Sequence, residues 1–267
     1  MAANASSDRM PVWFLAHGAP SHLLGEQPVR EFWQSLPEKL TRQPRAILCL
    51  SAHWLTEVPG FAGDVLSPQI QYDFAGFPDE LYQIQWPLKG NPETAKWLKS
   101  SLKNLLPELE VKETHPFDHG VWVPLMTAWP EPDFPVYQLS LCPQQGTKWH
   151  IDLGKQLAVL RDKGVLIIGS GGIVHNLSKI NWQAPRGNST DWAADFMQAV
   201  KVAMLKHDYA ALSEPWSLPY GKKCVPTIEH YLPLLIMLGA CLNEEIIPLY
   251  EDWEYGSLNL HSYTSSE

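Results

Sequence analysis

The chain has 267 residues, 45% hydrophobic and 18% charged, which suits one large α/β domain or two small ones. Its formal net charge of −9, from 20 Lys and Arg against 29 Asp and Glu, carries no basic stripe. That balance argues against nucleic acid or an anionic membrane as partner. Cys49, Cys142, Cys224 and Cys241 are scattered, with no C-x-x-C pair, so a disulfide framework is not expected and the cytoplasm is the default compartment. The longest apolar run, 231–242, is too short to span a bilayer and contains Pro233. Residues 1–10 are small and polar, without the apolar stretch of a secretory signal, and are expected to form a disordered lead-in.

Taken in chain order, Val12–Ala16 reads as a short buried strand, 29–40 as a helix and Ala46–Ser51 as a second strand. The segment 92–106 is helical, with Pro at its first turn, and 136–141 is a strand. A helix over 151–163, a strand over 165–169 and helices over 191–206 and 229–242 complete the pattern. The Pro-rich stretch 184–188 is a loop. Strand and helix alternate, which predicts one α/β domain over 11–267. Its central sheet is mostly parallel or mixed, with helices on both faces.

Chemistry concentrates where these strands end. The first runs into His17-Gly18 and the second into His53-Trp54. The fourth ends in Gly169-Ser170-Gly171-Gly172 and soon reaches His175-Asn176. Ligands of open α/β sheets bind beyond the carboxyl ends of the strands, so these loops are expected to open onto one crevice. His230 begins the apolar helix that follows. Neutral imidazole is the commonest protein ligand of divalent transition metals. Any one such histidine is ordinarily a loop or core residue bonded to backbone, and no two of them form a local motif such as H-E-x-x-H.

Other signals fail. His115 and His119 have helical spacing, but Pro116 pushes His115 out of the α region. The glycine run at 169–172 starts like a dinucleotide fingerprint but ends in Val174. Ser170 lacks a nucleophile-elbow pattern, because Ile168 stands at its first glycine. Trp54 and Trp122, each close to a histidine, are expected as pocket walls.

Six collinear segments carry a resemblance. They are Phe14-Leu15-Ala16-His17-Gly18-Ala19-Pro20, Leu50-Ser51-Ala52-His53-Trp54, Tyr72-Asp73-Phe74-Ala75-Gly76-Phe77-Pro78, Phe117-Asp118-His119-Gly120, Gly169 through Leu177, and Glu229-His230-Tyr231-Leu232-Pro233-Leu234. Together they make the chain similar to the class III extradiol ring-cleavage dioxygenase family, in its DOPA 4,5-extradiol dioxygenase branch. The resemblance implies a metal site at the strand C-terminal ends, with His17, His53 and His230 as ligands. It also implies His175 as acid/base group or fourth ligand, His119 as a second catalytic residue, and a substrate pocket that includes Tyr72 and Asp73. Superfamily members with a glutamate as third ligand differ here, where this chain has His230. His22 matches no family role and is expected to be structural or solvent-exposed.

The implied reaction is cleavage of a small aromatic catechol by O₂. It needs one divalent metal, Fe(II) for activity, with Zn(II) able to occupy the same site. Three neutral imidazoles on one side of an ion leave room for a bidentate catecholate and oxygen, and a further histidine can move protons near neutrality. A zinc hydrolase using the same histidines, and a non-enzymatic binding scaffold, are the alternatives. The natural catechol and the oligomeric state have no signature in the sequence.

Overall fold

Val12 and Phe14 enter one apolar core while Trp13 and Leu15 enter another, so the first strand is buried on both faces. The same alternation holds for Leu48 against Ile47 and for Ile167 against Leu166 and Ile168. A strand covered on both faces reads in sequence as an unbroken apolar run, which is why these segments are legible.

The computed structural model describes residues 9–63, 65–112 and 115–266. Its elements run β1 (Val12–Ala16), α1 (Pro28–Ser35), β2 (Ala46–Ser51), β3 (Gly60–Ala62), α2 (Pro92–Leu105), β4 (Glu110–Val111), α3 (His119–Ala128), β5 (Val136–Leu139) and α4 (Gly146–Leu157). They continue with β6 (Val165–Gly171), α5 (Asp191–Leu205), α6 (Tyr209–Leu212), α7 (Gly221–Cys224), α8 (Leu232–Ala240), β7 (Ile246–Tyr250), β8 (Trp253–Glu254), β9 (Leu258–Asn259) and β10 (Ser262–Ser265).

Eight strands form one mixed sheet in the order β4-β3-β5-β2-β6-β1-β10-β7. Its centre, β5-β2-β6-β1, is parallel, and antiparallel pairs flank it on both sides. Side chains of α2, α4, α5 and α8 fill the core on one face, among them Leu102, Leu157, Phe196 and Leu235. Those of α1 and α3 fill the other, with Trp33, Val121 and Leu125. The expected single α/β domain, with a mixed sheet covered on both faces, is the observed one.

Several boundaries shift for physical reasons. The helix expected over 29–40 stops at Ser35 and continues as a 3-10 turn, Leu36–Lys39, because Pro37 has no N–H for the next helical bond. The helix expected from 151 starts at Gly146, and its last part, Ala158–Lys163, is 3-10. The strand at 136 ends at Leu139, and the strand at 165 runs on to Gly171. His230 does not begin a helix: α8 starts at Leu232, with Pro233 in its first turn. Helix α3 is not among the expected elements, since it is buried almost all round and carries Pro124 within it, so it shows no amphipathic face.

Of the lead-in expected over residues 1–10, the structure describes only Arg9 and Met10. Residues 1–8 lie outside the described residues, but Met10 is buried and its carbonyl accepts from Arg161 Nε at 2.7 Å. Arg161 itself is buried. Its guanidinium donates to Ala240 O at 2.6 Å, pairs with both Glu244 oxygens at 2.7 Å, and reaches Ser265 Oγ at 3.1 Å. A buried charge is tolerable when its donors are used in this way.

Candidate metal centre

Five histidines from five separate segments meet beyond the carboxyl ends of β1, β2 and β6. His17 directly follows β1, His53 follows β2, His119 is the first residue of α3, His175 follows β6 and His230 precedes α8. Ring centroids lie 4.9 Å apart for His17 and His53, 4.0 Å for His53 and His119, and 5.3 Å for His17 and His119. His230 stands 5.5 Å from His17 and 5.0 Å from His53. His175 stacks on His230 at 3.5 Å, with the rings 8° from parallel.

Glycines make these approaches possible. Gly18, at φ +56°, turns the chain after His17, and a Cβ there would stand 2.6 Å from His22 Nε2. A Cβ on Gly171 would collide with the His230 carbonyl oxygen, and one on Gly169 with that of Pro233. Gly169 and Gly171 therefore serve close packing of the 230–233 backbone onto β6. No cofactor is needed to explain them.

The hydrogen bonds decide which nitrogen of each ring faces inward. Pro124 has no N–H, so the Gly120 carbonyl lacks its usual helical partner, and Ser170 Oγ donates to it at 2.6 Å. Ser170 has one proton, already given, so it accepts from His17 Nδ1 at 2.9 Å and leaves His17 Nε2 with its lone pair. Asp73 Oδ2 lies 2.8 Å from His119 Nδ1 and 3.7 Å from His53 Nδ1. Glu229 Oε1 lies 3.3 Å from His230 Nδ1. In His17, His119 and His230 the hydrogen-bonded nitrogen is Nδ1, which leaves Nε2 as the inner one, while the His53 contact at 3.7 Å is too long for a hydrogen bond.

Two observations fit such a ring to a metal ion. His17 Nε2 and His53 Nε2 stand 3.0 Å apart, and His230 Nε2 is buried with no hydrogen-bond partner. Outer acceptors fixing the tautomer of inner imidazoles are the usual second layer of a metal site. The ligating atoms of His17, His53 and His119 all lie within 4.8 Å of one another.

Electrostatics keep His17, His53 and His175 neutral. Burial, followed by the neighbouring imidazoles, holds His17 well below the ordinary histidine value. Burial likewise pushes His53 to about 2 and His175 to about 3. Burial would raise the Glu229 carboxyl, but hydrogen bonds from His230 and Thr227 outweigh it and bring the group to about 2. The Asp73 carboxyl is lowered in the same sense, its burial outweighed by the His119 bonds. Three neutral imidazoles with two ionised carboxylates close by favour a cation between them.

The remaining expected residues are placed as follows. Asp73 joins the site through His119. Tyr72 donates its hydroxyl to Ile84 O at 2.5 Å and meets Trp122 edge-on at 6.1 Å. Trp122 is fully buried, with Nε1 donating to Gln71 O at 3.0 Å, so it backs the Tyr72 loop. Trp54 stacks on His115 at 4.1 Å, and His115 stays outside the α3 helix, as Pro116 dictates. His22 is buried, not exposed, with Nε2 3.1 Å from Glu254 Oε2. Ser170, Gly120 and the Glu229 carboxylate are the functional groups that sequence reasoning misses as such. For Ser170 the only available signal is its place at a strand end.

The family model for the catalytic LigB subunit of aromatic ring-opening dioxygenase matches residues 11–257. The chain belongs to that family. It is 38% identical over 274 residues to a 4,5-DOPA dioxygenase extradiol of Escherichia coli strain K12, covering 96% of this chain and 95% of that protein. It is 34% identical to a 4,5-DOPA dioxygenase extradiol of Beta vulgaris, covering 94% of each. A crystal structure of an uncharacterized protein from Escherichia coli K12 aligns with a TM-score of 0.81 at 33% identity, over 97% of this chain and 100% of that one. This LigB-family chain is a class III extradiol ring-cleavage dioxygenase, an oxidoreductase, and these relatives give no support to a hydrolase or a non-enzymatic scaffold. None of its helices is long and apolar enough to cross a membrane among the described residues.

Proposed function

We propose that the protein opens the aromatic ring of a catechol with O₂ at one divalent metal held by His17, His53 and His230. The observation that carries this reading is the inward set of Nε2 atoms, with His230 Nε2 buried and unpartnered. Bound there, Fe(II) supplies the redox centre at which catecholate and O₂ meet; zinc fits the same imidazoles but has no redox chemistry.

The chain's own residues do the rest. His175, which burial keeps neutral at neutral pH, presents a ring nitrogen to one substrate hydroxyl and takes and returns its proton once a bound catecholate's negative charge raises its proton affinity. Its stacking on His230 fixes its plane beside the ligand set. Asp73 and Glu229 orient their histidines, and the loop that carries Tyr72 and Phe74 gives the aromatic substrate an apolar wall. The four unpaired, buried cysteines suit a reducing compartment, the cytoplasm.

The test is anaerobic reconstitution with Fe(II), followed by oxygen-electrode assays. DOPA, which several relatives are named for, heads a panel with caffeate, gallate and protocatechuate. Oxygen uptake with a yellow ring-opened semialdehyde is expected for at least one. No uptake with any member, alongside full Fe(II) loading, would sink the reading.

A further inference from the structure

One carboxylate grips His119 at two points. Asp73 Oδ1 accepts the His119 backbone N–H at 2.8 Å, and Asp73 Oδ2 lies 2.8 Å from the ring Nδ1. An ionised carboxylate has no proton to give, so Nδ1 carries the ring hydrogen and Nε2 keeps a lone pair. The grip is itself anchored. Gln71 N donates to Phe117 O, and Phe117 N to Gln69 O, each at 2.8 Å, while Trp122 Nε1 donates to Gln71 O at 3.0 Å. From the other side, the Tyr72 hydroxyl holds Ile84 O at 2.5 Å. Phe74 then meets the His119 ring edge-on at 5.9 Å. The Asp73 side chain is 20% exposed, so it lies at the solvent side of the cluster.

We infer that Asp73 is a positioning residue that acts through His119, fixing its ring with Nε2 turned to the metal crevice as hydrogen-bond acceptor for a substrate hydroxyl. The inference rests on the ring-cleaving reading above and adds a division of labour to it. On the proposed ligand set His17, His53 and His230 hold the ion, and His119, whose ligating atom lies within 4.8 Å of those of His17 and His53, is left to receive the catechol. The segment that walls the pocket with Tyr72 and Phe74 also sets this tautomer, so pocket shape and hydrogen-bond polarity come from one loop.

Asp73→Asn is nearly isosteric but can present an N–H to His119 Nδ1, which drives the ring hydrogen to Nε2. The test compares wild type, Asp73→Asn and Asp73→Glu. Long-range proton–nitrogen correlation spectra of metal-free protein with isotope-labelled histidines read the tautomer, with His119→Gln used for assignment. Elemental analysis after Fe(II) loading reads metal content, and steady-state kinetics read turnover.

The expected wild-type spectrum has His119 protonated at Nδ1, and Asp73→Asn moves the hydrogen to Nε2. Because Asp73 Oδ2 stands 3.7 Å from His53 Nδ1, too far for a hydrogen bond, metal content stays within about twofold of wild type in Asp73→Asn. Its kcat falls roughly 10- to 1000-fold, with KM within about threefold, as for an acid–base histidine held in the wrong tautomer. Asp73→Glu recovers part of the rate. An unchanged tautomer in Asp73→Asn, or turnover within about twofold of wild type, would overturn the inference. So would loss of metal from that variant, which would make Asp73 a support of the ion site. Spectra and metal content need no turnover. A wild-type enzyme that is fully loaded yet inert toward every catechol therefore removes the ring-cleavage reading and leaves the tautomer to decide whether Asp73 orients His119.

Discussion

Gly171 lies so close beneath His230 that a single added methyl group would overlap the His230 carbonyl oxygen. The next residue reinforces the contact, since Gly172 N donates to His230 O at 2.9 Å. Strand β6 thus sets the height of a histidine that is far away in sequence. Gly171→Ala should push the 230–233 backbone away from the strand. The expected cost is about 1 to 3 kcal/mol of stability by overpacking, with metal affinity lowered as well. Denaturant unfolding and a chelator competition measure the two. Unaltered affinity would show that His230 is not held in place by this contact.

Removing the proposed ligands should unload the site. His17→Ala, His53→Ala and His230→Ala are each expected to purify with less than about half of the wild-type metal, since two remaining imidazoles bind much more weakly. Elemental analysis reads the result. Full stoichiometry in the first two would end the assignment.

Ser170 touches no inner face of the ring, yet it decides the His17 tautomer. Ser170→Ala should weaken metal binding by roughly 10- to 100-fold, the usual loss when an outer hydrogen-bond partner is deleted. Fluorescent chelator titration supplies the number. Wild-type affinity would mean that β1 alone aims His17.

His175→Ala separates catalysis from ligation. Acid–base work predicts intact metal content with kcat lower by roughly 10²- to 10⁴-fold. Ligation predicts loss of metal first, with partial rescue by added Fe(II). Near-wild-type turnover would remove His175 from the mechanism.

Acid should weaken the fold through histidines that are buried neutral. His150 donates from Nδ1 to Gly146 O at 2.7 Å, and its Nε2 accepts from Cys142 N at 3.3 Å, so a second proton has no place. Burial holds it at about 4, against an ordinary 6.5. The unfolded chain therefore binds the proton first as pH falls through 6.5, and stability drops until about pH 4. From this group the drop is on the order of 3 kcal/mol. Denaturant midpoints across that window should fall less steeply in His150→Gln. An identical slope would show that His150 contributes nothing.

Legibility in the sequence follows burial geometry. β1 and β2 are readable residue for residue because a strand between two cores is apolar throughout. The α3 helix is not, because it has no polar face and its proline signals a break. That proline, by freeing the Gly120 carbonyl, leads to Ser170 and so to the His17 tautomer. Such a chain of contacts crosses long sequence separations that no local pattern reports. The five histidines are visible as strand-end punctuation plus a resemblance, but the direction of each ring depends on partners such as Asp73 and Glu229, which only the folded chain brings near. For His22 the sequence leaves a structural and an exposed place open for the same reason: its partner, Glu254, lies at the other end of the chain.

The knot at Arg161 gathers Met10, Ala240, Glu244 and Ser265 near the start of β1, with Thr264 paired to Trp13. The histidine ring lies at the opposite pole of the sheet. One pole therefore works as a clasp for the two ends of the described chain, and the other as a mouth. Loops at the mouth can lengthen, shorten or change their aromatic content as substrates differ without straining the clasp.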